Sequence, residues 1–265
     1  MKVSVVVPTR NSGRTLEACL KSVRGQTHAP IEILVTDNHS SDATRAIADR
    51  FADTVLVAGP ERSAQRNRAA AAATGSALLF VDSDMVLTPS VIAECVEAGV
   101  RGADAVVIPE QSFGEGFWAR CKALERSCYV GDASIEAARF FTREIFERMG
   151  GYDEALVGPE DWDLHERAIR AGATTARTDA LIWHDEGRLR LRQQAAKKFH
   201  YGKTFGAYIE KHQDLAGAQL RLVRPAFIRH RRRLARDPLT AVGMLIMKTS
   251  EVAAGGVGLL AGRLR

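Results

Sequence analysis

Short aliphatic runs alternate with helical patterns through the first hundred residues, which predicts an α/β domain: a mostly parallel sheet with helices on both faces. "KVSVVVP" reads as a first strand, "IEILVTD" as a second, "TVLVA" as a third, "ALLFVD" as a fourth and "DAVVIP" as a fifth. Between them, Ser12 is placed to cap a helix through about Gln26 and Asp42 to cap "ATRAIADRF". Gly75 is placed to stop the Ala-rich "ERSAQRNRAAAAATG", and Thr88 with Pro89 opens a further helix that Gly99 closes.

From about 110 to 150 the pattern is less regular: a helical "EGFWARCKALERSCYV", a strand-like "ARFFT" and a helix "REIFERMG". "GPEDWDLHERAIRAG" predicts a helix ending at Gly172, and "TARTDALIWH" a last strand. Beyond His184 the chain reads as wholly helical. Two domains are expected, the α/β one over residues 1–187 and a helical C-terminal extension over 188–265, basic and then apolar.

That extension carries an uneven charge. The whole chain has a net charge of +5, yet seven arginines and no acid lie between Arg221 and Arg236. The bland reading is a solvated helix face. Nucleic acid is disfavoured, because few aromatic residues interleave with the arginines. The apolar run Leu239 to Met247 is shorter than the roughly 20 residues a spanning helix needs, and Lys248 to Glu251 interrupt it. Two short apolar helices are expected, lying in a membrane interface with the arginines at an anionic lipid surface, or else closing over the core or a homodimer partner. With 265 residues and 46% hydrophobic content, one sizeable core is expected. Cys19, Cys95, Cys121 and Cys128 form no CxxC pair, so neither a zinc knuckle nor a disulfide framework is predicted. "MKVSVVVPTRN" offers no apolar signal-peptide core, so a cytoplasmic protein, peripheral at the cytoplasmic membrane face, is expected.

In open parallel sheets, ligands sit at the carboxyl ends of the strands. Here those ends supply Pro8, Thr9, Arg10 and Asn11, then Asp37, Asn38 and His39, then Asp82, Ser83 and Asp84. Two acids ending a buried strand need a partner, since isolated charge is costly among aliphatic side chains. If extended geometry persists, Asp82 and Asp84 project the same way and converge on one divalent cation and its phosphates. Alternatively, Asp84 simply caps the following turn. Met85, Val86 and Leu87 read as packing.

"SVVVPTRN", "VTDNHSSD", "ERSAQRNRAAAAATGSALLFVDSD" and "GGYDEALVGPEDWDLHERAIRAG" occur in an order that resembles family 2 glycosyltransferases of the GT-A fold, over residues 1 to about 185. The resemblance implies a nucleotide-diphosphate-sugar donor, a divalent metal (Mn2+ or Mg2+), and transfer to the hydroxyl of a glycan or lipid-linked acceptor. It places Pro8, Arg10 and Asp37 at the nucleoside, Arg62 and Arg66 toward the diphosphate, and Asp82 at the ribose or a metal-bound water. Asp84 matches the direct metal ligand and His184 a late one, although a lone histidine is also often structural. Asp161 matches the base of inverting members, with Glu160 beside it to bind acceptor or orient the loop and Trp162 on the acceptor side. For the acids near 160 the structural alternative is stabilisation of a helix N-terminus, worth about 0.3–1 kcal/mol. Phe117, Trp118 and Tyr201 are candidates for stacking on a sugar, against a plain core role. Two departures bear on the base: Ser12 stands where the family commonly has an acid, and "TDN" where two adjacent acids are frequent. A sugar nucleotidyltransferase is the rival enzyme, but its first loop should be Gly-rich. A non-catalytic membrane-associated scaffold is the rival outside catalysis.

Overall fold

The computed structural model describes residues 1–213 and 224–263. Arg221, the first of the arginine run, lies outside the described residues. The chain divides into two compact units, Met1–Pro109 with Ala137–Glu154 and Glu160–His184, and Glu110–Glu136 with Ala155–Pro159 and Asp185–Arg265. A single cut at residue 187 does not reproduce this division, because two earlier segments group with the C-terminal one.

The first unit is built on a seven-stranded sheet. Its strands are β1 (Val3–Thr9), β2 (Ile31–Asp37), β3 (Thr54–Val57), β4 (Ala77–Phe80), β6 (Ala105–Val107), β8 (Ala138–Thr142) and β9 (Thr175–Arg177), in the order β3-β2-β1-β4-β8-β6-β9. All neighbours are parallel except β8, which runs antiparallel to β4 and β6. Strand alternation sorts the apolar side chains into two cores. Val5, Val7, Ile33, Val35 and Leu79 pack against α1 (Leu16–Arg24), α2 (Thr44–Phe51) and α4 (Val91–Val100). Val6, Leu34, Leu78, Phe80 and Phe141 pack against α3 (Arg62–Ala72), α6 (Arg143–Arg148) and α7 (Glu160–Arg170). The expected α/β sheet with helices on both faces is therefore the one observed.

Several boundaries move. The first helix begins at Leu16 rather than at Ser12, whose hydroxyl donates to the Arg10 carbonyl and lies 2.8 Å from that of Ser83 and so does not cap the helix. The helix expected to close at Gly99 continues to Val100, and the turn falls at Gly102, whose φ of +97° suits a residue without Cβ. The expected last strand is two strands. β9 is the sheet edge, and β10 (Ile182–Arg188) continues past His184, where the sequence pattern predicts helix, and pairs antiparallel with β5 (Met85–Leu87) through Ile182–His184.

Glu32 ties β1, β2 and the chain entering β4 together. Its carboxylate pairs with Lys2 at 2.8 Å and accepts from the Ser4 hydroxyl, the Thr74 N–H at 2.5 Å and the Gly75 N–H at 3.1 Å. Burial alone would raise its pKa, but the bonds from Lys2, Ser4 and Thr74 win and lower it to about 2. A lowered folded-state pKa contributes stability that is whole above the unfolded value of 4.5 and is lost as pH falls through about 2. Glu32→Gln is expected to cost about 1 kcal/mol in denaturant unfolding at pH 7, a difference that shrinks below pH about 4.5 and is lost as pH falls through about 2.

In the second unit, β7 (Glu110–Glu115) leads into α5 (Gly116–Ser127), and α8 (Leu191–Lys211), α9 (Pro225–Arg229), α10 (Arg231–Arg236) and α11 (Pro238–Arg263) follow. The two short apolar helices expected at the C-terminus are one helix of 26 residues. Lys248 and Glu251 do not interrupt it, because both turn inward and are buried. Glycines bring α8 and α11 together: a Cβ on Gly258 would lie 2.1 Å from the Phe199 carbonyl oxygen, and one on Gly202 2.2 Å from that of Gly255. Cys121, Cys128, Phe227, Met244 and Met247 form this unit's core.

Candidate active site

The sheet order reverses direction at β1 and β4, which lie side by side, so the crevice at their carboxyl ends is the switch point where α/β sheets bind ligands. At the end of β2, Asp37 is buried and accepts from the Thr9 hydroxyl at 3.2 Å and from the Ser40 N–H at 3.0 Å and hydroxyl at 2.5 Å. Asn11 and His39, which close the loops after β1 and β2, have φ of 49° and 50°. The Asn11 side chain accepts from the Ser41 N–H at 2.9 Å and joins the two loops. Gln65 on α3 donates to the carbonyls of Thr9 and Thr36 at 2.9 and 2.6 Å, fixing that helix against both strand ends. Pro8 is buried within β1, whereas Arg10 is exposed beside it.

The two acids of "DSD" do not share a direction. The chain turns after β4, with the Met85 N–H donating to the Asp82 carbonyl at 3.0 Å, so the extended geometry assumed for them ends at Asp82. Asp82 meets Arg66 at 2.6 Å and Arg139 at 3.7 Å. Asp84 meets His184 instead, Oδ2 to Nε2 at 3.1 Å. The packing residues after Asp84 arrange that second pair, because β5 places Met85 opposite His184.

Arg66 is wholly buried. Its guanidinium reaches Asp82 at 2.6 Å, Asp161 at 3.0 Å and Glu160 at 3.5 Å, and lies 4.9 Å above the Tyr152 ring, which itself meets Phe80 edge-on at 5.0 Å. Burial would lower its pKa, but Asp161 and Asp82 raise it well above the ordinary value. Burial would likewise raise the pKa of Asp82, yet Arg66, Arg139 and Arg62 hold it well below the usual carboxylate range. The resemblance puts Arg66 toward diphosphate oxygens; in the structure its guanidinium meets the carboxylates of Asp82, Asp161 and Glu160. Arg139, on β8, is the member of this cluster that sequence reasoning missed; it also lies 4.0 Å from Asp161.

At the start of α7, Glu160 and Asp161 differ in access. Glu160 has a side-chain exposure of 2% and is held by Arg62 at 2.9 Å, whereas Asp161 has 24%. Glu160 is thus buried against Arg62, and Asp161 is the more accessible of the two acids. Trp162 is half-buried beside them. The helix is anchored by Asp163, buried and bonded at 2.8 Å to Arg167, whose guanidinium donates to the carbonyls of Met149 and Gly151 in the "GGYD" turn. In the second unit, Phe117 and Trp118 meet edge-on at 5.1 Å and pack on the core of that unit, the plain reading of the pair.

Residues 4–153 match the model described as "Glycosyl transferase family 2". The chain belongs to that family. It is 28% identical over 233 residues to a pre-mycofactocin glycosyltransferase of Mycobacterium tuberculosis, a match covering 80% of this chain and 48% of that protein. The chain thus spans about half the length of that relative. It is 25% identical over 192 residues to the O-antigen chain rhamnosyltransferase WbaN of Salmonella anatum, covering 64% of this chain and 61% of the relative. Among solved structures, a mannosyltransferase from Pyrobaculum calidifontis in complex with GDP-Man and Mn2+ superimposes with a TM-score of 0.65 at 19% identity, over 97% of this chain and 86% of that one. This likeness bears on the fold, and the fold is GT-A.

Proposed function

We propose that this protein is a metal-dependent, inverting glycosyltransferase, moving a sugar from a nucleotide-diphosphate-sugar to a hydroxyl of a glycan or lipid-linked acceptor at a membrane face. The observation that carries the reading is the pairing at the strand ends: Asp82 and Asp161 share one buried guanidinium, while Asp84 and His184 meet 3.1 Å apart two residues on. Pro8, Arg10 and Asp37 bind the nucleoside, and Asp82 takes the ribose. Arg62, anchored by Glu160, offers its positive charge to the diphosphate.

Asp84 and His184 supply a carboxylate oxygen and an imidazole nitrogen, a mixed pair that suits Mn2+ better than Mg2+, which takes oxygen donors. Among the described residues no group of three or more His, Cys, Asp or Glu is placed to hold a metal. Two protein donors leave the other positions to nucleotide oxygens and water, as is usual for cations bound with phosphates. When bound, such an ion adds positive charge beside the departing diphosphate. Asp161 takes the proton of the acceptor hydroxyl as the new bond forms, and Arg66, 3.0 Å away, aims that carboxylate. Attack from the side opposite the leaving group turns an α-linked donor into a β-linked product. The name of the rhamnosyltransferase relative supports a glycan acceptor.

The test is hydrolysis and transfer with Mn2+ and a panel of sugar nucleotides. Asp84→Ala is expected to lower metal-dependent turnover on the order of 100-fold or more and to abolish the metal's effect on donor affinity. His184→Ala should act in the same direction and less strongly. Full metal-dependent turnover by Asp84→Ala removes the metal assignment, and a wild-type protein inert toward every donor is a scaffold.

A further inference from the structure

Helix α11 is inverted relative to a helix that faces water. Its charged side chains point inward: Lys248 Nζ lies 2.8 Å from Glu125 Oε1, and Lys122 Nζ lies 2.8 Å from Glu125 Oε2 and 3.3 Å from Glu251 Oε1. Its outward positions are aliphatic apart from Thr249, whose hydroxyl donates to the Leu245 carbonyl at 2.9 Å. Leu239, Val242, Ile246, Val252, Val257 and Leu260 are all exposed, Leu239 at 70% and Leu260 at 63%. No acidic or basic residue of the helix is exposed before Arg263. At about 1.5 Å per residue, the apolar face runs for roughly 30 Å.

Water does not account for this arrangement. Burying ion pairs is close to neutral against burying apolar groups of the same size, while exposed aliphatic surface forfeits the hydrophobic contribution. Rotating α11 by half a turn would reverse both choices, and the four-residue ionic cluster on α5 and α11 prevents it. The glycines reinforce the same orientation, because the close approach of α8 uses the small side of α11 and leaves its large residues outside.

The charges around this face select its occupant. Arg229, Arg231, Arg232 and Arg236 are exposed on α9 and α10, which lead straight into α11. Asp237, the acid beside them, accepts from the Thr240 N–H at 3.1 Å and starts the helix. Arg192, Lys197 and Lys211 are exposed on α8. A second copy meeting this face in parallel, with the two-fold axis along α11, would bring arginine against arginine, and an antiparallel copy would leave both arginine clusters without an acidic partner on α11. Although α11 is long and apolar enough to cross a membrane, its inner side is packed along α8, which carries those charges, so the helix lies along a bilayer surface.

We propose that the outward face of α11 rests in the headgroup–acyl boundary of an anionic bilayer, with the arginines of α9 and α10 against lipid phosphates. This deepens the membrane-face part of the proposed function and rests on that part alone, so its readout is binding and not transfer. The full chain is floated with phosphatidylglycerol-containing vesicles and with phosphatidylcholine vesicles. The wild type is expected to float with the anionic vesicles, less so at high salt. Ile246→Glu with Val257→Glu should lower partitioning about 100-fold, and Arg231→Gln with Arg232→Gln about tenfold at low salt. Donor hydrolysis should persist in both variants, since these positions are exposed and far along the chain from the catalytic residues. A wild type that stays out of both vesicle fractions overturns the proposal, as does unchanged flotation of Ile246→Glu with Val257→Glu. So does a non-floating dimer that this variant makes monomeric, which would assign the face to a second copy. Flotation without any donor hydrolysis would leave the membrane face standing and refute the enzymatic reading.

Discussion

Asp161→Asn is expected to bind donor and metal as the wild type does and to lose sugar transfer by about 100- to 10,000-fold, the range supplied by a positioned general base. The substitution keeps shape and one accepting oxygen, so the Arg66 Nη1 contact, 3.0 Å in the wild type, survives as a weaker bond. What disappears is the capacity to take a proton. Asn is a separate test from Ala, because Ala would also release Arg66 and Arg139 and disturb Asp82. Donor affinity measured by titration and transfer measured by product formation separate the two effects. Transfer at the wild-type rate would remove the base from Asp161. Loss of donor binding along with transfer would mean that the residue acts on the donor side, through the guanidinium it shares with Asp82.

Much of this arrangement is legible because burial leaves a trace in sequence. β1, β2 and β4 announce themselves as aliphatic runs, and polar residues at their carboxyl ends mark the switch point. Asp82 and Asp84 are visible as charge ending a buried strand. Their different partners are not, since the separation depends on a turn closed by a backbone bond and on β10 returning 100 residues later. Arg139 carries the same signal that exposes Asp82: an arginine in "ARFFT", between Ala138 and Phe140, both buried. Charge inside an apolar strand draws notice for the acids and is easily passed over for the base that answers them. The C-terminal helix misleads for the opposite reason. Lys248 and Glu251 look like an interruption when water is assumed outside, and only Lys122 and Glu125, more than 120 residues away, reveal that they face inward.

The second large effect is expected at Arg66. Replacing it with Met keeps much of the volume over Tyr152 and removes the charge that answers Asp82, Asp161 and the buried Glu160. Breaking a buried ionic group from one side typically costs about 3–5 kcal/mol, because the remaining charge is left without compensation. Arg62→Met is the control: its side chain is 35% exposed and its partner Glu160 keeps Arg66, so a loss of about 1 kcal/mol or less is expected. The pH dependence identifies the cause. In the wild type the depressed pKa of Asp82 makes its contribution whole above the ordinary value of 3.8 and lost as pH falls. Without Arg66, burial weighs more heavily on Asp82 and raises its carboxyl pKa above that in the wild type, so the deficit should shrink from pH 7 toward pH 5. Denaturant midpoints at the two pH values measure this directly. A deficit below about 1 kcal/mol at pH 7, accompanied by a weakened donor affinity, would show that Arg66 does not hold the acids together and would return it to the diphosphate role that its helix position suggests.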